Sequence, residues 1–101
     1  MSRQEQFFRM IEKHLDSLRR LGIRRIGLFG SVARGEDGEA SDYDILVEFN
    51  PARKTYRAFV SLCDLLDQEL ADNYDLVTRE SLSPWLRSRI LAESKIVEVC
   101  R

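Results

Sequence analysis

Apolar side chains recur at Phe7, Phe8, Ile11, Leu15 and Leu18, with Glu12, Lys13, Asp16 and Arg19 on the opposite face. That spacing predicts an amphipathic helix over residues 4–20, ended by Leu21-Gly22. The rhythm then changes. Ile23, Ile26, Leu28 and Phe29 form a short apolar run stopped by Gly30, which reads as a buried strand over residues 23–29. "SVARG" has room for only a turn or two of helix, and "EDGEAS" is a surface loop rich in turn formers.

"YDILVEF", residues 43–49, reads as a second strand broken by Asn50-Pro51. Phe59, Leu62, Cys63, Leu66 and Leu70 mark a long helix over 56–71, and "YDLVT", 74–78, a third strand. Ser83-Pro84 is a helix-start signal, with Trp85, Leu86, Ile90 and Leu91 following on one stripe. "KIVEV", 95–99, is a fourth strand. Helices and strands therefore alternate, which predicts an α/β or α+β fold with helices mainly on one face of the sheet. There is no internal repeat, low-complexity segment or linker.

A length of 101 residues is enough for one domain, spanning 1–101, and one core. Such a chain has no room for an added substrate-recognition domain, so its substrate is bound by this core or brought by a partner. Apolar residues make up 44% and charged residues 33%, the balance of a globular chain. With 16 basic and 17 acidic side chains the formal charge is -1, so no net field draws the chain to nucleic acid or to an anionic membrane. Charges interrupt the first eighteen residues throughout, leaving neither a signal-peptide core nor a spanning segment, and a cytoplasmic location is expected. Cys63 and Cys100 are too few and too far apart for a zinc knuckle or a disulfide framework; both read as thiols packed as small hydrophobes.

The chemistry concentrates in "LFGSVARGEDGEASDYDILVEF", residues 28–49. Asp42 and Asp44 stand two apart at a strand entry, so an extended backbone sends both carboxylates to one face. Carboxylates that close repel unless a cation or a proton is shared between them. Solvated charges at a loop-strand junction are the plain reading, but three neighbours argue for more. Gly30-Ser31 exposes backbone N–H groups and a hydroxyl just after a buried strand, where a phosphate could dock. Arg34, one turn on, can neutralise phosphate oxygens. Asp75 opens the third strand within "YDLV", a local repeat of "YDIL" at 43–46. Hard oxygen ligands clustered at strand ends suit magnesium. Three aspartates, two Mg2+ ions and a triphosphate on the Gly-Ser turn would make a two-metal centre for phosphoryl or nucleotidyl transfer, with Asp75 also able to accept a hydroxyl proton. The stretch is not a P-loop, because no Gly-Lys-Ser/Thr follows, and Gly35 and Gly38 lack the spacing of a dinucleotide fingerprint.

Gly30-Ser31, ten intervening residues and Asp42-Tyr43-Asp44, with Arg34-Gly35 and Ser41 inside, resemble the signature of the polymerase-β-like nucleotidyltransferase superfamily. The size resembles that of its minimal members, the MNT-domain proteins, and the resemblance runs from the leading helix to "YDLVTRESLSPWLRSRILAE". It implies a small mixed sheet of about four strands flanked by helices, with Asp42, Asp44 and Asp75 as catalytic Mg2+ ligands. It places Gly30, Ser31 and Arg34 around the phosphates of ATP, the nucleotidyl donor. It further implies an antitoxin partnered with a helical HEPN-type ribonuclease toxin, AMP being moved onto a toxin tyrosine, and leaves both a homodimer and a hetero-oligomer open. All three acidic positions are filled, which favours an active enzyme. Two other readings are a non-catalytic module that neutralises its toxin by occlusion and the catalytic subunit of a small-molecule, aminoglycoside-type transferase.

Elsewhere the plain readings lead. His14 reads as a solvated surface histidine, and Trp85, Phe7 and Phe8 as core, with a partner interface as the sharper option for an aromatic. Arg19, Arg20, Arg24 and Arg25 read as a solvated cluster, with a partner patch as the alternative. Tyr43 should point away from the aspartates into packing. Arg53, Lys54 and Arg57 read as a solvated loop, with an approach to the triphosphate or to an acidic partner as the alternative.

Overall fold

The computed structural model describes residues 2–38, 41–71 and 73–99; Cys100 lies outside them. The periodicity read as one N-terminal helix is two. Ser2 caps α1 (Arg3–Lys13), its Oγ accepting the Glu5 amide at 3.1 Å in the Ser-x-x-Glu spacing of a capping box. At His14 the backbone leaves helical geometry (φ −107°, ψ 17°) before α2 (Leu15–Arg20) resumes. His14 is not free in solvent: its Nε2 lies 2.8 Å from Glu69 Oε1, which ties the break to a neighbouring helix. The apolar stripe runs through that break, so sequence spacing alone does not reveal it.

β1 (Ile23–Phe29) runs into α3 (Gly30–Arg34), which Gly35 ends in the left-handed conformation. The remaining elements keep the predicted order: β2 (Tyr43–Phe49), α4 (Tyr56–Leu70), β3 (Tyr74–Thr78), a 3-10 turn at Arg79–Ser81, α5 (Pro84–Glu93) and β4 (Lys95–Glu98). Thr55 and Ser83 cap α4 and α5 by accepting the amides of Ala58 and Leu86. The sheet order is β3-β2-β1-β4, with β2 parallel to β3 and β1 antiparallel to both β2 and β4. It is the mixed four-stranded sheet expected.

Along β2, Tyr43, Ile45, Val47 and Phe49 point to one face and join Ile26 and Leu28 of β1. Phe7, Ile11, Leu18, Leu62 and Leu66 from α1, α2 and α4 complete that core, all fully buried. Burial on this scale stabilises by roughly 1.5–3 kcal/mol per large side chain. Phe8 packs on its margin. Tyr43 is core, as predicted: its ring stacks on Phe7, and its hydroxyl donates to the Arg3 carbonyl at 3.2 Å.

The alternation sends Asp44, Leu46 and Glu48 to the opposite face. Leu46 and Ile90 of α5 are buried outside the main cluster, and α5 packs beside β1 and α3. The apolar stripe predicted on α5 is not a buried one. Trp85 is 68% exposed and Leu86 39%, because the helix is seated through Ile90 and its first turn stays in solvent. Arg89 covers the Trp85 ring at 5.1 Å.

The basic residues brace the end of β2 remote from Asp44. Arg24, Arg25 and Arg79 converge on Glu48, and Arg25 also reaches Glu98. Arg53 donates to the carbonyls of Arg19 and Arg20 at the end of α2, and Lys54 pairs with Glu80. Arg53 and Lys54 are thus engaged at the strand end opposite Asp44, and Arg57 is exposed in the first turn of α4. Among the described residues no helix is long and apolar enough to cross a membrane.

Candidate active site

Strand register builds the site. Phe29, the last residue of β1, pairs with Asp44, and Asp44 pairs in parallel with Asp75. Side chains of paired residues leave on the same face, so the carboxylates of Asp44 and Asp75 stand side by side just beyond Gly30. Gly30 has φ 72°, which only glycine adopts without strain, and a β-carbon there would fall 2.2 Å from Asp44 Oδ2. The turn thus needs glycine twice, for its backbone angle and for the carboxylate that packs against it.

Asp44 is half-buried, whereas Asp42 and Asp75 are exposed at its flanks. Its carboxyl is held above the usual carboxylate range, first by burial, then by the neighbouring charges of Asp75 and Asp42, with Arg34 opposing them. The site is thus an acidic cluster short of positive charge. Among the described residues no three His, Cys, Asp or Glu side chains form a ready-made metal cage. The donors are nonetheless anionic oxygens crowded around one half-buried carboxylate, a chemistry that fits a hard divalent cation such as Mg2+.

The signature of the nucleotidyltransferase domain family matches residues 11–97. The chain belongs to that family. Protein adenylyltransferase MntA of Thermococcus cleftensis is 38% identical over 90 residues, covering 88% of this chain and 90% of its own. A solved structure provisionally assigned as a minimal nucleotidyltransferase superposes with a TM-score of 0.78 at 37% identity, covering 94% of this chain and 95% of that one. A mutant form of the toxin-antitoxin pair MntA-HpeT gives a TM-score of 0.64 at 26% identity, over 84% of this chain and 69% of that one.

In this nucleotidyltransferase Gly30, Asp42, Asp44 and Asp75 come together at one end of the sheet, and Arg34 acts on the same cluster from α3. Ser31 is half-buried at the second position of α3. Sequence reasoning missed Glu93. The last residue of α5, it accepts the Gly30 amide at 3.3 Å through Oε1 and Arg34 Nη1 at 3.2 Å through Oε2. No local motif marks it, since only the docking of α5 beside α3 brings it to the turn. Arg34 is also engaged by Glu36 at 3.0 Å. A groove of about 520 Å³ passes Asp42 between Arg3, Ser41, Tyr43, Leu70 and Asn73, but Gly30, Asp44 and Asp75 do not line it, so it borders the cluster. Cys63 lies away from all of this; burial pushes its thiol up, the opposite of what a nucleophile needs.

Proposed function

We propose that this nucleotidyltransferase, working as one minimal domain over residues 1–101, transfers AMP from ATP to a protein hydroxyl. The acceptor is a tyrosine of a partner HEPN-type ribonuclease toxin in the cytoplasm, which makes the chain an antitoxin. One observation carries the reading: Asp44 packs against the Gly30 turn while Asp42 and Asp75 crowd the same carboxylate. It gathers acidic oxygens beside the backbone N–H of Gly30 and the guanidinium of Arg34, donors of the kind a phosphate takes. The names of the relatives support the acceptor class, one being a protein adenylyltransferase and another part of a toxin-antitoxin pair.

In the proposed reaction the acceptor oxygen bonds to the α-phosphorus of ATP, the bond between the α-phosphorus and the bridging oxygen breaks, and pyrophosphate leaves with the electron pair. Asp75, exposed beside Asp44, takes the acceptor proton. Asp42, Asp44 and Asp75 would hold Mg2+, which supplies charge neutralisation at the attacking oxygen and the leaving pyrophosphate. Arg34 and the Gly30 amide face the phosphates, and Ser31 follows in the same turn. The acceptor surface comes from the partner.

Intact mass of the co-purifying partner, after incubation with ATP and Mg2+, tests this. Whole adenylate increments with the wild type, absent with the Asp42→Asn, Asp44→Asn double variant, are expected. An intact complex with no added mass in either sample would overturn transfer and leave neutralisation to binding alone.

A further inference from the structure

Glu93 presents two carboxylate oxygens to two separate donors of the site. Oε1 accepts the backbone N–H of Gly30 and Oε2 accepts a guanidinium N–H of Arg34. These are the donors that the proposed function turns toward the nucleotide phosphates. A carboxylate bridging an amide and a guanidinium uses the same charge-assisted geometry that a phosphate uses, with two anionic oxygens in one plane facing N–H groups.

We infer that Glu93 is a further residue of the nucleotide site, a stand-in that occupies the phosphate position of the free enzyme and is displaced when ATP binds. The inference rests on the proposed ATP site. Both partners are more than a third exposed at their side chains, 44% for Arg34 and 37% for Glu93, so the contact can open without disturbing the core. Glu93 ends α5 and is followed by Ser94 and the edge strand β4, so its side chain can leave Gly30 by rotation alone. Electrostatics argue the same way. Glu93 adds a negative charge to the neighbourhood of Asp44, where Asp42 and Asp75 already crowd. A triphosphate entering beside all four must displace or outweigh the one that holds its donors. While the site is empty, Glu93 holds the Gly30 amide and the Arg34 guanidinium on one carboxylate.

One other contact sharpens the distinction. Glu36 also pairs with Arg34, at 3.0 Å, but belongs to the loop after α3 and has no bond to Gly30. A general loss of negative charge near the site would therefore show equally at Glu36 and Glu93, whereas a phosphate stand-in shows at Glu93 alone.

Calorimetric titration of the full-length protein with α,β-methylene-ATP and Mg2+, in which the scissile linkage cannot break, tests this. Glu93→Gln and Glu93→Ala are both expected to bind about three- to ten-fold more tightly than wild type, the gain from no longer having to open a surface ion pair before binding. Glu36→Gln is expected to change affinity by less than about two-fold on the same grounds. Binding unchanged or weakened in both Glu93 variants, with the wild type binding, would overturn the stand-in and assign Glu93 instead to holding the nucleotide. An equal gain in Glu36→Gln would overturn it as mere charge relief. No binding by the wild type would remove the ATP site itself and the inference with it.

Discussion

The Asp44 carboxylate rests against the α-carbon of Gly30, with no room for a β-carbon between them. Gly30→Ala must therefore twist an unfavourable left-handed backbone, at about 1–2 kcal/mol, and push the carboxylate aside as well. The expected result is a lower urea midpoint together with loss of transfer. Gly38, where a β-carbon would meet open space and the backbone is not left-handed, is the control: Gly38→Ala should leave both readouts unchanged.

Asp75→Asn is expected to abolish transfer by a factor of about 100 or more, the scale of a lost proton acceptor. Stability should not fall with it, because the substitution removes a like charge that weighs on Asp44. Thermal midpoints and transfer rates of the same preparation separate the two effects. Chelation of divalent cations by EDTA should stop transfer by the wild type in the same assay.

Glu69 binds His14 and Lys13, and these contacts, the histidine hydrogen bond first, hold its carboxyl below the usual range. A carboxyl with a depressed folded value stabilises the fold above its unfolded value, about 4.3. That contribution is lost as the pH falls through the lower folded value. Urea midpoints of the wild type and Glu69→Gln should therefore differ at pH 6 and converge as the pH falls below the usual carboxylate range. A constant difference would mean that packing, not charge, joins α1 to α4.

Tyr74 donates its hydroxyl to Asp67 at 2.7 Å and to the Cys63 carbonyl at 3.2 Å, fastening the edge strand β3 to α4. Its own ionisation is pushed far upward, chiefly by burial and then by Asp67. Tyr74→Phe should cost about 1 kcal/mol, the net worth of a hydrogen bond in a folded chain. Hydrogen exchange should show the loss concentrated in β3, the strand that carries Asp75.

Trp85→Ala should shift stability by about 0.5 kcal/mol or less, as expected of a surface side chain. Leu66→Ala, at a fully buried position, should cost about 2–5 kcal/mol. Similar losses at both sites, measured by denaturant unfolding, would return Trp85 to the core.

The strands and the acidic cluster were legible because strand alternation is a local signal. Phe29, Gly30 and Asp44 announce themselves through an apolar run, a turn residue and a period of two. Asp75 was legible because "YDLV" repeats "YDIL" on a neighbouring strand. What failed was tertiary. At the break His14 meets Glu69, far along the chain, and an unbroken apolar stripe hides it. The stripe on α5 resembles a buried face, yet how deeply a helix is seated depends on the sheet beneath it, and Trp85 stayed in water. Glu93 reaches Gly30 only because α5 folds back beside α3, which no spacing in "RILAES" encodes.

The pairing of Arg25 with Glu98 closes the sheet across most of the chain. During synthesis, β1, β2 and β3 are all made by Thr78, before α5 and β4 emerge. Contacts so distant along the chain form late and slowly compared with local ones. Until β4 docks, β1 keeps one edge bare, and Glu93, which ends the helix leading into β4, is not yet held beside the Gly30 turn.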